Sequence, residues 1–458
     1  MKLLPSLCRG LLPAVLALHT PVALAHLGYP DTTSVTVRRG HPEDMFVGAT
    51  FGALISRDSG KNWHWICPDA MHYGGWLPSS FLWQADGTLL AATGADLIRS
   101  KDGGCSWTVH SYFKSQGLWP ASLASPESNP SRLWVSTSRT GFPNGVYRSD
   151  DGGETFTPTS LRSETVVFTS VKVAPSNPRR LYVSGSTNES QRIYRSDDEG
   201  ATWEELLHPF PEYPPRAYDL FVLRVSDTDP DRLWASVFWQ GWTYVLESKD
   251  GGRTFRSILH PEGQERDAVD EQLMGIEVSA DGNTLWAATP TRLFRVRAGE
   301  ARATQLSLPD GNACVQREGE TLFVCGASRL HDWALATTPD EGQTYTPLLN
   351  LPDTQPPACP YASPVYDICR PRWPQFAPTI EANPALPPPP AQEDGGTPDA
   401  GSPDAGTTAP DAGPSEPPPA PPKKDGCSSA SGLLPAACFL ALSTLRRPRR
   451  RNPENRHP

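Results

Sequence analysis

An eight-residue segment that recurs at nearly constant spacing constrains the fold of this chain more than any other feature. It reads SDDGGETF at residues 149–156, and related segments begin at Ser56, Ser100, Ser196, Ser248 and Thr338. Successive segments start 44, 49, 47, 52 and 90 residues apart, so the last interval spans two periods and one copy has decayed near Val296. Seven units of about 45 residues are typical of a radial β-repeat protein.

Short apolar runs such as RLWVSTS and TLWAAT precede the repeated segments, and turn residues bound them. Runs of this kind predict buried strands. Each unit accordingly predicts four strands, which in the fourth unit cover residues 169–174, 181–184, 192–195 and 202–206. The predicted fold is all-β: a seven-bladed β-propeller of four-stranded antiparallel blades over residues 34–351.

The repeated segment, called the box below, is expected to form the turn between the third and fourth strands of a blade. Its third-position carboxylate can accept backbone N–H groups that the turn leaves open, and its fifth-position glycine suits a positive φ angle. An EF-hand calcium loop needs ligands at alternate positions and a distal glutamate, which the box lacks. We therefore predict a structural role, without a metal, for Asp58, Asp102, Asp151, Asp198, Asp250 and Asp340.

The box resembles the Asp-box, or BNR repeat, S-x-D-x-G-x-T-W, of sialidases, xyloglucanases, sortilin-type receptor ectodomains and photosystem assembly factors. The resemblance covers about 320 residues and implies the propeller fold. It is far less specific for function. The sialidase pattern also departs from this sequence, because no Arg-Ile-Pro motif precedes the first box and sialidases have six blades.

Both ends of the sequence differ in composition from the repeats. Residues 1–25 combine Lys2 and Arg9 with an apolar run and a small-residue cleavage site, which is typical of a secretory signal peptide. Residues 352–370 are expected to form a disulfide-closed extension. Residues 371–425 repeat PDAG three times in a proline-rich stretch and are expected to be a disordered linker.

Residues 426–451 contain Gly426-Cys427, a mostly apolar stretch at 428–445 and five arginines at 446–451. This order predicts a short transmembrane helix with a cytoplasmic basic flank, the alternative being a buried C-terminal helix. It resembles the MYXO-CTERM sorting signal of myxobacterial exported proteins. The resemblance implies processing by a sortase-like protease at Cys427 and attachment to the cell surface or outer membrane.

The charge of the chain limits the partners that it is expected to bind. The whole chain has a formal charge of −10, and residues 26–427 hold 33 basic and 50 acidic residues, a net −17, which disfavours nucleic acid. No cofactor motif is present.

Six cysteines remain outside the two ends, and an even number favours disulfides in an exported domain, with fifteen pairings open. Proximity along the chain favours Cys314–Cys325 and Cys359–Cys369, which leaves Cys67 and Cys105.

Ligand binding is expected at the end of the propeller away from the boxes, where the loops joining the second and third strands meet those joining consecutive blades. Aromatic and basic side chains on these loops suit a glycan or peptide ligand, although such rings also fill gaps between blades. The candidates are Trp76, Trp119, Tyr213, Trp239, Trp242 and Arg216.

Asp219 and Asp270 lie in the same loops, close to predicted innermost strands, and are the candidates for catalysis. A pair of carboxyl groups would suit glycoside hydrolysis, but exposed carboxylates more often only solvate a surface. Two functions follow: a surface-anchored, non-catalytic recognition or scaffold protein, which the sequence favours, and a glycoside hydrolase of the xyloglucanase or sialidase-like type.

Overall fold

The computed structural model describes residues 32–388 apart from residues 73–79, 188, 207–218, 240, 262–265, 267 and 307–313. The predicted signal peptide, the PDAG repeats and the C-terminal sorting signal with Cys427 lie outside the described residues. So do the candidates Trp76, Tyr213 and Arg216. No helix in the described part of the chain is long and apolar enough to span a membrane.

Seven four-stranded antiparallel sheets follow one another in chain order, which confirms the predicted seven-bladed propeller. Blade 1 contains β1 (Thr32–Arg38), β2 (His41–Ala49), β3 (Gly52–Ser56) and β4 (His64–Ile66). Blade 2 contains β5 (Ser80–Trp83), β6 (Leu89–Ala92), β7 (Leu97–Ser100) and β8 (Thr108–Val109). Blade 3 contains β9 (Pro120–Ala124), β10 (Leu133–Thr137), β11 (Asn144–Ser149) and β12 (Thr157–Ser163). Blade 4 contains β13 (Val167–Ala174), β14 (Asn177–Ser186), β15 (Gln191–Ser196) and β16 (Glu204–Leu206).

The remaining blades repeat the plan. Blade 5 contains β17 (Asp219–Val225), β18 (Leu233–Trp239), β19 (Trp242–Ser248) and β20 (Arg256–Ser257). Blade 6 contains β21 (Gly275–Val278), β22 (Thr284–Ala288), β23 (Leu293–Arg297) and β24 (Thr304–Gln305). Blade 7 contains β25 (Val315–Glu318), β26 (Thr321–Cys325), β27 (Leu335–Thr338) and β28 (Thr346–Leu349). The first strands of neighbouring blades contact one another around the ring, so they line its central channel.

Short helices occupy the connections and the C-terminal extension. They are α1 (Ser111–Gln116), α2 (Ser328–His331), α3 (Pro364–Cys369) and α4 (Trp373–Phe376). Single 3₁₀ turns occur at Pro68–Met71, Leu351–Asp353, Arg370–Arg372 and Ala377–Ile380. The chain is therefore folded beyond residue 371, where the disordered linker was predicted to begin. The composition there is proline-rich, yet Trp373 and Ile380 are buried against blade 1.

Each box forms the predicted turn between the third and fourth strands. In blade 3, Asp151 Oδ1 accepts the backbone N–H groups of Glu154 at 3.0 Å and Thr155 at 2.9 Å, and Oδ2 accepts the Thr155 hydroxyl. Gly153 has a φ of +89°, and a Cβ there would lie 3.0 Å from Leu133, so only glycine fits well. Equivalent aspartate bonds recur in the other five boxes.

Aromatic side chains of the second strands connect neighbouring blades through the boxes. Trp134 of blade 3 donates its indole N–H to the Glu199 carbonyl in the box of blade 4, at 3.1 Å. Trp286 of blade 6 does the same to Glu341 in the box of blade 7. Both rings are buried. A buried indole N–H without an acceptor would cost free energy, so the boxes of blades 4 and 7 also stabilise the blade that precedes each of them.

The C-terminal extension closes the ring by crossing from blade 7 to blades 1 and 2. Gln355 exchanges backbone hydrogen bonds with Trp63 and Trp65 at 2.8 and 3.1 Å, which places it beside β4. Phe376 stacks on Trp65 with ring centroids 4.2 Å apart. Each blade, including blades 1 and 7, holds four consecutive strands, so no blade combines strands from both ends of the chain to close the ring. The C-terminal extension joins the first and last blades instead.

The disulfides correct two of the three predicted pairings. Cys314–Cys325 is confirmed, and the other two bonds are Cys67–Cys369 and Cys105–Cys359. The predicted Cys359–Cys369 and Cys67–Cys105 pairs are wrong. Proximity along the chain failed because the extension lies along blade 1, where α3 carries Cys369 to Cys67 while Cys359 reaches the box of blade 2.

Candidate functional site

The antiparallel order of the strands sorts the connections onto two ends of the propeller. The boxes and the turns between first and second strands share one end, called the box face. The connections between second and third strands, and those between blades, share the opposite end, called the loop face. This matches the arrangement from which the binding candidates were predicted.

An exposed aromatic ridge stands on the loop face of blade 3. Trp119, just before β9, and Phe142, between β10 and β11, are 41% and 44% exposed. The Arg139 guanidinium lies 5.1 Å from the Trp119 ring and 3.4 Å from the Phe142 ring, between the two. Arg139 also donates to the Gly117 carbonyl at 2.6 Å, which fixes its position. We call these three side chains the aromatic ridge.

Trp119 was among the predicted binding residues, whereas Phe142 was missed. The sequence does contain a signal for Phe142, because it is the one large apolar residue in the turn sequence TGFPNG. Asn144 holds this turn, since its side-chain amide donates to the carbonyls of Arg139 and Phe142 at 3.0 Å each. The ridge is therefore presented by an ordered loop.

Trp239 and Trp242 lie on the loop face of blade 5 and are half-buried. They pair across the turn between β18 and β19 and pack against the core between blades 4 and 5. The guanidinium of Arg266 lies 5.2 Å from the Trp242 ring. These rings thus have a packing role, and only their outer parts are open to a ligand.

Asp270 is held by blade 6 at the same face. Arg292 reaches its carboxylate at 2.5 Å and that of Glu271 at 3.0 Å. The hydrogen bond from Arg292 holds the pKa of Asp270 below its usual range. Partial burial would raise the pKa of Glu271, but hydrogen bonds from Thr289 and Thr291 and the Arg292 charge lower it. Both groups are therefore ionised at neutral pH.

The backbone around Asp270 differs from the predicted position near an innermost strand. Val269 exchanges two hydrogen bonds with Thr243 at the start of β19, at 2.8 and 3.0 Å. Asp270 consequently lies beside the third strand of blade 5, while Asp219 is the first residue of the innermost strand β17. The side chain of Asp219 lies outside the described residues.

Trp333, another aromatic residue of these loops, belongs to the core. Trp333 is 6% exposed and stacks between His331 and Tyr345 at centroid distances of 4.8 and 5.5 Å, so it is not a surface ring. Within the described ranges, no cluster of three or more His, Cys, Asp or Glu side chains has the geometry of a metal site.

A polar cavity of 610 Å³ occupies the central channel near the box face. First strands or the turns after them line it in six blades, all except blade 6. Its charged lining includes Arg39, Glu127, Lys172, Arg224, Asp227, Arg317 and Glu318. The sequence did not single out these residues, because channel-facing positions carry no periodic signal of their own.

Comparison with known proteins gives one sequence relative and several remote folds. No family model matches the chain. A stretch of 116 residues is 30% identical to the xyloglucanase of Hypocrea jecorina; it covers 25% of this chain and 13% of that enzyme. The chain therefore corresponds to a small part of this relative's length.

Solved structures are more distant. The GH74 enzyme of Niastella koreensis is 14% identical over 69% of this chain and 65% of its own, with a TM-score of 0.39. YCF48 bound to D1 peptide is 14% identical over 65% and 92%, with a TM-score of 0.46. A puromycin-hydrolyzing peptidase of Mycobacterium tuberculosis is 13% identical over 71% and 54%, with a TM-score of 0.49. All three scores are below 0.5, so these structures do not bear on the chemistry of the site.

Proposed function

We propose that the protein is an exported glycoside hydrolase that acts on a polysaccharide of the xyloglucan class at its loop face. The observation that carries the proposal is the 30% identity to a xyloglucanase over 116 residues. Three disulfides between described cysteines support export, since such bonds persist in oxidising compartments. The function that the sequence alone favours, recognition without catalysis, is the second candidate function.

Aromatic rings and a carboxylate on the loop face support this proposal. The aromatic ridge presents apolar ring faces on which sugar rings can stack. Glycoside hydrolysis then needs one ionised carboxylate and one protonated carboxyl group. Asp270, held ionised by Arg292, suits the nucleophile or base. Asp219 at the start of β17 is the candidate for the acid.

The experiment measures release of reducing ends from tamarind xyloglucan, with carboxymethylcellulose as the control substrate. We expect hydrolysis by the wild-type protein and a loss of at least about a hundredfold in Asp270→Asn and Asp219→Asn, since an acid or base typically contributes that much. Asp353→Asn, an exposed carboxylate of the C-terminal extension, is the matched control and should retain full activity.

The second candidate is a glycan-binding protein without catalytic activity. The specific observation that favours it is the engagement of Asp270 and Glu271 by Arg292 and Thr291, because carboxylates held in this way serve the loop structure. Xyloglucan binding by calorimetry without release of reducing ends would establish this candidate. Absence of both binding and hydrolysis would reject both.

We further propose that residues 426–451 direct attachment to the cell surface, with Cys427 as the processing site. The order of Gly426-Cys427, the apolar stretch and the arginine cluster supports this proposal. Cys427→Ala should leave the C-terminal segment attached or the protein mislocalised, whereas Cys8→Ala should change neither. A wild-type surface form whose intact mass still includes Pro458 would contradict it.

A further inference from the structure

The channel cavity near the box face contains charged groups that have few or no contacts with the residues that the structure describes. Lys172 lies near the end of β13 and lines the cavity half-buried. Its ammonium group has no hydrogen bond or ion pair with any residue that the structure describes. Lysine side chains usually lie on the protein surface, where water solvates the ammonium group. A lysine inside a narrow channel loses part of this hydration. A ligand carrying a negative charge would restore this lost interaction.

The neighbouring cations are already paired. Arg224 contacts Glu277 at 2.7 Å, and Glu277 also accepts the backbone N–H of Arg317 at 3.0 Å. The Arg317 guanidinium contacts Asp227 and donates to the Val278 and Gly319 carbonyls. These contacts neutralise both arginines and hold them in place.

Arg39 is fixed on the opposite side of the cavity. It donates to the Ser125 hydroxyl at 3.0 Å and to the Ser125 carbonyl at 2.7 Å, with Glu127 and Glu318 as the nearby opposite charges. Arg39 and Lys172 both lack an ion-pair contact with a described carboxylate, but hydrogen bonds from Arg39 satisfy its guanidinium, whereas the Lys172 ammonium has no such partner among the described residues.

Glu318, at the end of β25, is a second charged group with few contacts. Among the described residues, its carboxylate accepts one hydrogen bond, of 3.3 Å, from the Gln316 amide. Burial, together with the charges of Glu277 and Glu127 and against that of Arg224, raises its pKa to about 7. Near neutral pH a large part of the population therefore carries a protonated carboxyl group, which can donate a hydrogen bond.

We propose that this cavity is a binding site for a small organic carboxylate, with the ligand carboxylate contacting the Lys172 ammonium and another polar group of the ligand accepting a hydrogen bond from Glu318. The volume of 610 Å³ is in the range that holds a small molecule and exceeds what one monosaccharide acid needs. The site lies at the opposite end from the loop face. It is independent of the proposed hydrolysis.

Binding should weaken as the pH rises from 6 to 9. Burial and the Arg224 charge, against that of Glu277, lower the pKa of Lys172 to about 8, so the ammonium loses its proton in this interval. Glu318 ionises in the same interval and then repels a carboxylate. Both changes act in the same direction.

The test uses sodium D-glucuronate as the probe, with D-glucose and inorganic phosphate as controls, followed by calorimetry and ligand-observed NMR. We expect glucuronate to bind at pH 6 with at least about tenfold higher affinity than at pH 9, because a charge-assisted contact is lost. At pH 6, glucose should bind at least about tenfold more weakly than glucuronate, because it has no carboxylate. Binding of phosphate but not glucuronate, or of neither anion, would overturn the proposal.

Three variants locate the site. Lys172→Met should reduce glucuronate affinity at least tenfold, whereas Lys61→Met, the same change at an exposed lysine of the first box, should not. Glu318→Gln stays neutral and should bind glucuronate more tightly than the wild type at pH 8. Circular dichroism checks each fold. If Lys172→Met fails to fold, Glu318→Gln decides, and an unchanged pH profile in that variant rejects the site.

Discussion

At the scale of single residues, the box aspartates combine an exposed position with many hydrogen bonds. Burial of part of the carboxylate would raise the pKa of Asp151, but bonds from Thr155, Ser149 and Glu154 outweigh it and lower the pKa to about 2. The pKa of Asp58 and of Asp340 is likewise lowered to about 2. Side chains of this type stabilise a turn only while they are ionised.

Replacement of Asp151 should therefore destabilise the fold without touching the binding sites. We expect Asp151→Ala to lower the free energy of unfolding by roughly 1–3 kcal/mol, because the N–H groups of Glu154 and Thr155 lose their acceptor. Chemical denaturation measures the loss, with Asp353→Ala as the control at an exposed carboxylate. A wild-type midpoint in Asp151→Ala, or lost ligand affinity at full stability, would contradict a structural role.

The same bonds predict an acid limit of stability. Because the folded pKa of Asp151 lies below the value of about 3.9 for an unfolded aspartate, its contribution is present above pH 4. It is lost as the pH falls from about 4 to about 2. Denaturation curves between these values should show a smaller pH dependence for Asp151→Asn than for the wild-type protein, and equal slopes would contradict the prediction.

At the scale of elements, the strands and boxes were predictable because they repeat. The predicted third strand of blade 4, residues 192–195, lies within β15 (Gln191–Ser196), and the Cys314–Cys325 bond follows from a hairpin of local sequence. Contacts between distant segments leave no local signal. Three features are of this kind. Trp333 packs between His331 and Tyr345, and Val269 pairs with Thr243. Lys172 lies in the channel.

The proposed glycan binding by the loop face depends on the aromatic ridge. Trp119→Ala and Phe142→Ala should each reduce the affinity for xyloglucan oligosaccharides about tenfold or more, since central aromatic contacts dominate such surfaces. Tyr361→Ala removes a ring that is 57% exposed on the C-terminal extension and should bind normally. Calorimetry with each variant compares them. Equal affinities in all three would place the ligand elsewhere.

At the scale of the whole molecule, the ring is closed by the C-terminal extension. Cys67–Cys369 and Cys105–Cys359 join positions 302 and 254 residues apart, across the junction of the first and last blades. Long loops lose the most conformational entropy when they are closed, so these bonds restrict the unfolded chain strongly. Cys314–Cys325 spans 11 residues within blade 7 and restricts it less.

Loss of both long-range bonds should therefore open the propeller at one place. A variant with alanine at Cys67, Cys105, Cys359 and Cys369 should lose about 4 kcal/mol or more of unfolding free energy. Its amide hydrogen exchange should accelerate in β1 and β4, which meet blade 7 and the extension, and stay slow in β13–β15 on the far side of the ring. Cys314→Ala/Cys325→Ala is the control and should leave exchange in β1 and β4 unchanged. Uniform acceleration in all seven blades would show that the extension adds general stability and does not specifically hold the junction.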